Sequence, residues 1–75
     1  MPRYAFALGN IEELRQAGYV QSDSFSEALD IIGEQVPTHL GDLLEIGVDG
    51  FPPARYRRVS DAGRLAWQPQ GLMAA

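Results

Sequence analysis

Large and small side chains alternate along "RYAFAL", residues 3–8. The large residues Tyr4, Phe6 and Leu8 are separated by Ala5 and Ala7. A period of two is the period of a β-strand, in which successive side chains point to opposite faces. We predict a strand here, with its three large side chains on the core.

The next segment, "NIEELRQAG" at residues 10–18, carries the local signals of a helix. Asn10 is a good N-cap, and Glu12 and Glu13 would lie in the electropositive first turn. Gly18 is placed to end the helix in a left-handed conformation. These signals predict a short helix of two turns, followed by a brief extended segment at "YVQ".

A longer helix is predicted at "SFSEALDIIGEQV", residues 24–36. Ser24 and Glu27 have the spacing of a capping box, and Pro37 stops the helix because proline cannot continue the hydrogen-bond ladder. The apolar residues recur at helical spacing, as one side of an amphipathic helix would: Phe25, Ala28, Leu29, Ile32 and Val36.

The sequence pattern of the second half of the chain predicts strands joined by turns. "DLLEIGV" alternates, with Leu44, Ile46 and Val48 on one face, and Asp49-Gly50 can turn the chain. Pro52 and Pro53 lack N–H donors, so strand pairing must restart after them, at "RYRRV". "SDAGR" then offers a turn into a last strand at "LAWQ".

These elements predict an α+β fold in the order β-α-α-β-β-β. A mainly antiparallel sheet of about four strands would be covered by the longer helix, beside the short one. The 75 residues make a single small domain, 1–75, with residues 71–75 as a flexible tail. Because the chain is small and has no cysteine for disulfides or zinc, burial of apolar surface against a second copy favours a homodimer.

Composition narrows the class of protein. With 45% hydrophobic and 21% charged residues, the chain is apolar enough to fold, yet no apolar run is long enough to span a membrane. The first ten residues have too short an apolar stretch for a signal peptide. We therefore expect a cytoplasmic protein without a membrane partner.

The net charge of −4 is unevenly distributed along the chain. Nine acids and one base lie in residues 12–49, whereas residues 55–64 hold four arginines and one acid. On the longer helix, Glu27, Asp30 and Glu34 lie opposite the apolar side. Such a face is usually only solvated, and the alternatives are a docking surface for a basic partner or a partial mimic of a phosphate backbone.

The segment "DGFPPARYRRV", residues 49–59, concentrates arginines and aromatics behind a rigid Pro-Pro step. In a strand, Arg55 and Arg57 would share one face while Tyr56 and Arg58 share the other, so one ligand cannot contact them all. Arginine beside aromatic residues is the composition enriched at protein-interface hot spots. The predicted partner-binding residues are Phe51, Arg55, Tyr56 and Arg58.

A purely structural interpretation of the same segment has equal weight. In it, Arg57 and Arg58 lie on the sheet surface and pair across strands with Glu45. Phe51 and Trp67 then fill the core. The two interpretations differ in whether Phe51 is exposed.

No residue set predicts an enzyme, a metal site or a cofactor. His39 has the side chain best suited to proton transfer near neutral pH, but the serines are better explained as caps and turns. Asp42 and Glu45, the nearest carboxylates, would point to opposite faces of a strand and would not converge on a metal. We therefore assign no catalytic and no metal-binding residue.

The passage "GYVQSDSFSEALDIIGE", residues 18–34, resembles the strand-to-helix entry of HicB-type antitoxins. These are small acidic proteins in which a strand leads through a short polar turn into a helix bearing "EAL". The sequence departs from that family by placing a capped helix where a second strand is expected, and by lacking an appended DNA-binding segment.

The functional prediction is a small non-enzymatic protein-interaction or regulatory module that binds itself or another protein. The alternatives are an acidic antitoxin-like or nucleic-acid-associated regulator and a small His39-dependent enzyme. A pI near 4.6 argues against nucleic acid, because such a protein repels a duplex over most of its surface.

Overall fold

The architecture is one antiparallel sheet with a helix on one of its faces. The structure is a computed structural model, and it describes residues 2–10, 12–48 and 50–70. Within them the elements follow the order β1 (Arg3–Gly9), β2 (Leu14–Gln21), α1 (Phe25–Gln35), β3 (Leu43–Gly47), β4 (Ala54–Asp61) and β5 (Arg64–Pro69). The expected turn residue Asp49 and the expected tail, 71–75, lie outside the described residues.

The sheet has the strand order β2-β1-β3-β4-β5, and every neighbouring pair is antiparallel. β1 is therefore an inner strand with partners on both sides, while β2 and β5 form the two edges. α1 connects the edge strand β2 to β3, which lies beyond β1. The general prediction of an antiparallel sheet covered by a helix is confirmed, whereas the number of strands and the number of helices differ.

The prediction of a short helix from Asn10 to Gly18 is wrong, because the chain forms the β1–β2 hairpin there. The Asn10 side chain does accept the backbone N–H groups of Glu12 and Glu13, at 2.8 and 2.9 Å. It does so inside the hairpin turn, where the Asn10 N–H also donates to the Glu13 carbonyl. A helix of two turns is marginal by itself, whereas β2 gains backbone partners on β1 along its length.

The longer helix has the predicted bounds and caps. The Ser24 hydroxyl accepts the Glu27 N–H at 3.1 Å, and Glu27 reaches back to the N–H of Asp23 at 3.2 Å. Val36 is the C-cap, one residue before Pro37. The first half of the capping box is therefore as expected, and the return bond goes to the residue before the N-cap.

The core lies between α1 and the central strands. Alternate residues of β1 and β3 meet the buried side of the helix, as the sequence pattern predicted. The buried side chains are Tyr4, Phe6, Leu8, Ala28, Ile32, Val36, Leu44 and Ile46. Ala28 is fully buried, and its small side chain allows close approach of helix and sheet.

The β4–β5 hairpin turns through two residues, and both have positive φ. Ala62 has φ 54° and Gly63 has φ 81°, as a type I′ turn requires. A left-handed conformation costs an L-residue such as alanine roughly 1–2 kcal/mol, whereas asparagine tolerates it better.

We expect Ala62→Asn to raise the free energy of unfolding by about 0.5–1 kcal/mol, because asparagine removes part of the left-handed cost. In a domain of this size that corresponds to a melting temperature roughly 2–8 °C higher, measurable by calorimetry. The control is Ala62→Val, whose branched side chain fits this conformation poorly and should lower the melting temperature. Equal effects of both substitutions would contradict the turn geometry.

Candidate protein-binding surface

The face of the sheet opposite α1, here called the open face, is not covered by any helix of the described residues. It carries the side chains that alternate with the core residues. On β1 these are Arg3, Ala5 and Ala7, and on β4 they are Arg55 and Arg57. Arg3 lies over the ring of Tyr19 on β2, with 4.4 Å from its guanidinium carbon to the ring centroid.

Small residues of β1 form the floor of a groove on the open face. Ala5 and Ala7 lie in the centre of this β1 groove, which Leu14 and Leu43 flank toward one end. At that end the hairpin turn folds so tightly over Gly9 that an added Cβ would lie 2.8 Å from the Leu14 Cα. The alternation in "RYAFAL" thus places large side chains in the core and small ones on the open face.

The Pro-Pro segment closes the opposite end of the β1 groove. An added Cβ on Gly47 would lie 3.1 Å from the Cα of Pro53, so the segment packs directly over this glycine. Gly50 adopts φ 91°, and the Phe51 N–H donates to the Val48 carbonyl at 3.2 Å. The ring of Phe51 is left 71% exposed beside the groove.

The exposure of Phe51 decides against part of the structural interpretation. Phe51 does not fill the core. Trp67 is half-buried and packs against the core. The residue paired with Glu45 is Arg55, at 3.0 Å, and not Arg57 or Arg58. This ion pair is exposed at both partners, so it contributes little to stability.

The four predicted partner-binding residues divide between the two faces. Phe51 and Arg55 are exposed on the open side. Tyr56 is half-buried on the helix-covered face, where its ring lies 5.9 Å from the ring of Phe25. Arg58 is only 7% exposed. The structure therefore leaves Phe51 and Arg55 exposed on one side of the sheet and separates them from Tyr56 and Arg58.

Arg58 belongs to the packing between α1 and the β4–β5 hairpin. Its guanidinium lies 4.3 Å from the Trp67 ring centroid, and its Nε donates to Thr38 Oγ1 at 3.0 Å. Burial lowers the pKa of Arg58 from its ordinary value. The Trp67 indole N–H donates to the Leu29 carbonyl at 3.1 Å and so ties β5 to the helix.

An ion pair that the sequence pattern did not reveal lies at the end of the helix-covered face. Asp42, 3% exposed, accepts two hydrogen bonds from the Arg15 guanidinium, at 2.6 and 3.0 Å. It also accepts the His39 N–H at 2.8 Å, and its carbonyl accepts the Arg58 N–H at 2.8 Å. Asp42 thereby links β2, the loop after α1 and β4.

These contacts shift the ionisation of the pair. The Arg15 hydrogen bonds lower the pKa of Asp42 against the opposing effect of its burial, and the His39 N–H lowers it further. The pKa of Arg15 is raised by the same hydrogen bonds. No local sequence pattern indicates this pair, because its members are 27 residues apart.

His39 is exposed and contributes its backbone N–H to this arrangement. Over residues 2–10, 12–48 and 50–70, no three histidine, cysteine, aspartate or glutamate side chains are grouped as metal ligands. The same part of the chain contains no helix with the length and apolar character needed to cross a bilayer.

The two layers carry opposite charge. The exposed acids of the helix layer are Asp23, Glu27, Asp30 and Glu34, whereas the open face presents Arg3, Arg55 and Arg57 against Glu13 and Glu45. The uneven charge along the sequence thus becomes a difference between the two sides of the sheet.

Comparison with known proteins gave no match to a family model, to a curated protein or to a solved structure.

We expect Asp42→Asn to lower the free energy of unfolding at neutral pH by about 1–3 kcal/mol, because a hydrogen-bonded charge is lost beside Arg15. The pKa of Asp42 is lower in the folded state. Its stabilisation is therefore fully present above the unfolded pKa of about 3.9 and is lost as the pH falls through the folded value.

Urea unfolding of wild type and Asp42→Asn over a range of pH tests this pH dependence of stability. The difference between wild type and Asp42→Asn should shrink as the pH falls below about 4. Glu34→Gln, which changes an exposed helix carboxylate, is the control and should alter stability by less than about 0.5 kcal/mol. A difference that stays constant into acid would contradict the assigned role of the carboxylate.

Proposed function

We propose that this chain is a non-enzymatic protein-binding module that binds an acidic surface of another protein through its open face. The observation that carries the proposal is the combination of a 71% exposed Phe51 with Arg55 beside a groove of small residues. Arg57 extends the positive charge of the same face. The proposal places the module in the cytoplasm, in keeping with the absence of cysteine.

The geometry suits an interface anchor. Aromatic and arginine side chains dominate the binding energy of many protein interfaces, most of all where an aromatic ring is surrounded by a rim that excludes water. The contact of Pro53 with Gly47 and the two fixed proline φ angles restrict the segment before binding. Less conformational entropy is then lost when Phe51 is immobilised.

The β1 groove gives this surface a concave shape. Because Ala5 and Ala7 project little from the sheet, a partner segment can approach the backbone of β1 closely. The positive charge around the groove would attract an acidic partner, while the acidic helix layer would repel one. Charge of this kind sets orientation and association rate more than final affinity.

An antitoxin-like regulator is a second candidate, and one observation favours it. The segment 18–34 forms the end of β2, a polar turn and α1, which is the arrangement that its resemblance to HicB-type antitoxins implies. The departure expected from a helix at residues 10–18 is absent, because that region is a second strand. In this version of the proposal, the acidic partner of the open face is the protein that the regulator inhibits.

The rival functions find less support in the geometry. A nucleic-acid ligand would have the open face for its phosphates, but the net charge of −4 and the acidic helix layer oppose a duplex. Catalysis by His39 would require polar groups that converge on its ring. The hydrogen bonds described at His39 involve only its backbone.

We expect Phe51→Ala to weaken binding to the partner by about 30-fold, the loss of roughly 2 kcal/mol typical of an interface anchor. Arg55→Ala/Arg57→Ala should slow association, and added salt should do the same to wild type. The tagged protein would be used to capture partners from lysate of the source cells, and binding of each identified partner would be measured by surface plasmon resonance.

A matched control separates the position of charge from net charge. Ser26→Glu/Gln35→Glu on exposed helix positions changes the net charge by −2, as the double arginine substitution does. A specific acidic partner should be retained by this control and lost by the open-face variants. Equal loss in both, or a mobility shift of a DNA or RNA duplex that Arg55→Ala abolishes, would overturn the proposal.

A further inference from the structure

The two edges of the sheet are protected to different degrees. β5 ends in Pro69, which has no N–H to offer, and its Trp67 is bonded to the helix. β2 extends over eight residues, and its outer side has no strand partner among the described residues. An unpaired edge is a template for another strand unless proline, charge or a covering segment blocks it.

β2 lacks most of these protective devices. Its sequence "LRQAGYVQ" contains no proline, and its one charged residue is Arg15. The Arg15 guanidinium is engaged by Asp42, so its charge is directed away from the outer edge. The irregularity in pairing near Gly9 affects only the first residues of β2. Residues 16–21 remain as a regular, uncharged edge.

A groove of mixed polar and apolar lining continues from this edge toward the helix. It lies between β2 and α1 and is lined in part by Val20, Ile31 and Gln35. Gly18 has no side chain to fill it, and an added Cβ there would contact the Phe6 ring at 3.4 Å. A strand that pairs with β2 would therefore run along the open side of this groove.

We propose that β2 pairs with β2 of a second copy of this chain, which joins two sheets into one continuous antiparallel sheet. β2 is suited to be its own partner because antiparallel pairing about a twofold axis brings the same segment of both copies together. An axis at Ala17 sets the two Ala17 residues directly opposite each other in the new strand pair. The open faces of both copies remain free on one side of the joined sheet.

This inference goes beyond the proposed function and does not depend on it. Self-association uses the edge of β2, whereas binding of an acidic partner uses Phe51 and the arginines of β4. A dimer would present two open faces to a partner, and effective concentration would then strengthen binding to a partner with two matching sites.

Light scattering over a wide range of protein concentration gives the first test. The expected mass is twice 8.2 kDa, with dissociation on dilution. Ala17→Asp should raise the dissociation constant by at least about tenfold, because it brings two carboxylates together near the axis. The matched control is Ala66→Asp on the other edge strand, which should leave the dimer unchanged.

Disulfide trapping tests the same contact without weakening it. The chain has no cysteine, so a single introduced thiol can form a disulfide only between copies. Ala17→Cys should give a covalent dimer on mild oxidation, and Ala66→Cys should not. This test remains valid even if Ala17→Asp impairs folding.

Three results would overturn the inference: a wild type that stays monomeric at high concentration, a dimer lost through Ala66→Asp, or trapping only at Ala66→Cys. Arg55→Ala/Arg57→Ala should keep the dimer mass, and wild type diluted to the monomer should keep affinity for an acidic partner measured at a single site. Failure of either proposal is thereby distinguished from failure of the other.

Discussion

The rest of this structure depends on the mismatch in width between one helix and five strands. Five strands span about 19 Å between the outer strand axes, at about 4.8 Å for each spacing. A helix with its side chains is only about 10–12 Å across. α1 can therefore cover the central strands, where Ala28 and Ile32 meet β1 and β3, but not both edges of the same face.

Different groups occupy the parts of that face that α1 does not cover. Beside β4 and β5, the long side chain of Arg58 fills the space with its stem while its guanidinium stacks on Trp67. At the end of the helix, the Arg15–Asp42 pair joins segments that no apolar contact holds. Beside β2 the gap stays open at Gly18. The buried arginine, the buried carboxylate and the groove beside β2 are thus three results of one geometric constraint.

Much of the fold could be predicted from periodicity and caps. α1, β3 and β4 follow from local patterns, because capping by Ser24, termination at Pro37 and alternation in residues 42–48 are satisfied within each segment. β2 could not be predicted in this way. The cap-like behaviour of Asn10 is real, but it serves a hairpin turn, and the pairing that decides for a strand lies on β1.

The candidate surface was predictable to a similar degree. Alternation correctly separated Arg55 from Arg58, since it needs only that β4 is a strand. The burial of Arg58 could not be foreseen, because it depends on where the helix ends across the sheet. The exposure of Phe51 depends on how the Pro-Pro segment folds over Gly47, which is a contact between separate parts of the chain.

The alternation in β1 also has a consequence for how the protein can vary. Substitutions at Ala5 or Ala7 would change the shape of one surface, while substitutions at Phe6 or Leu8 would change the stability of the core. Adjacent positions on one strand are thus subject to separate selection. The shape of the open face could therefore diversify among descendants of this chain without each change altering the packing of the core.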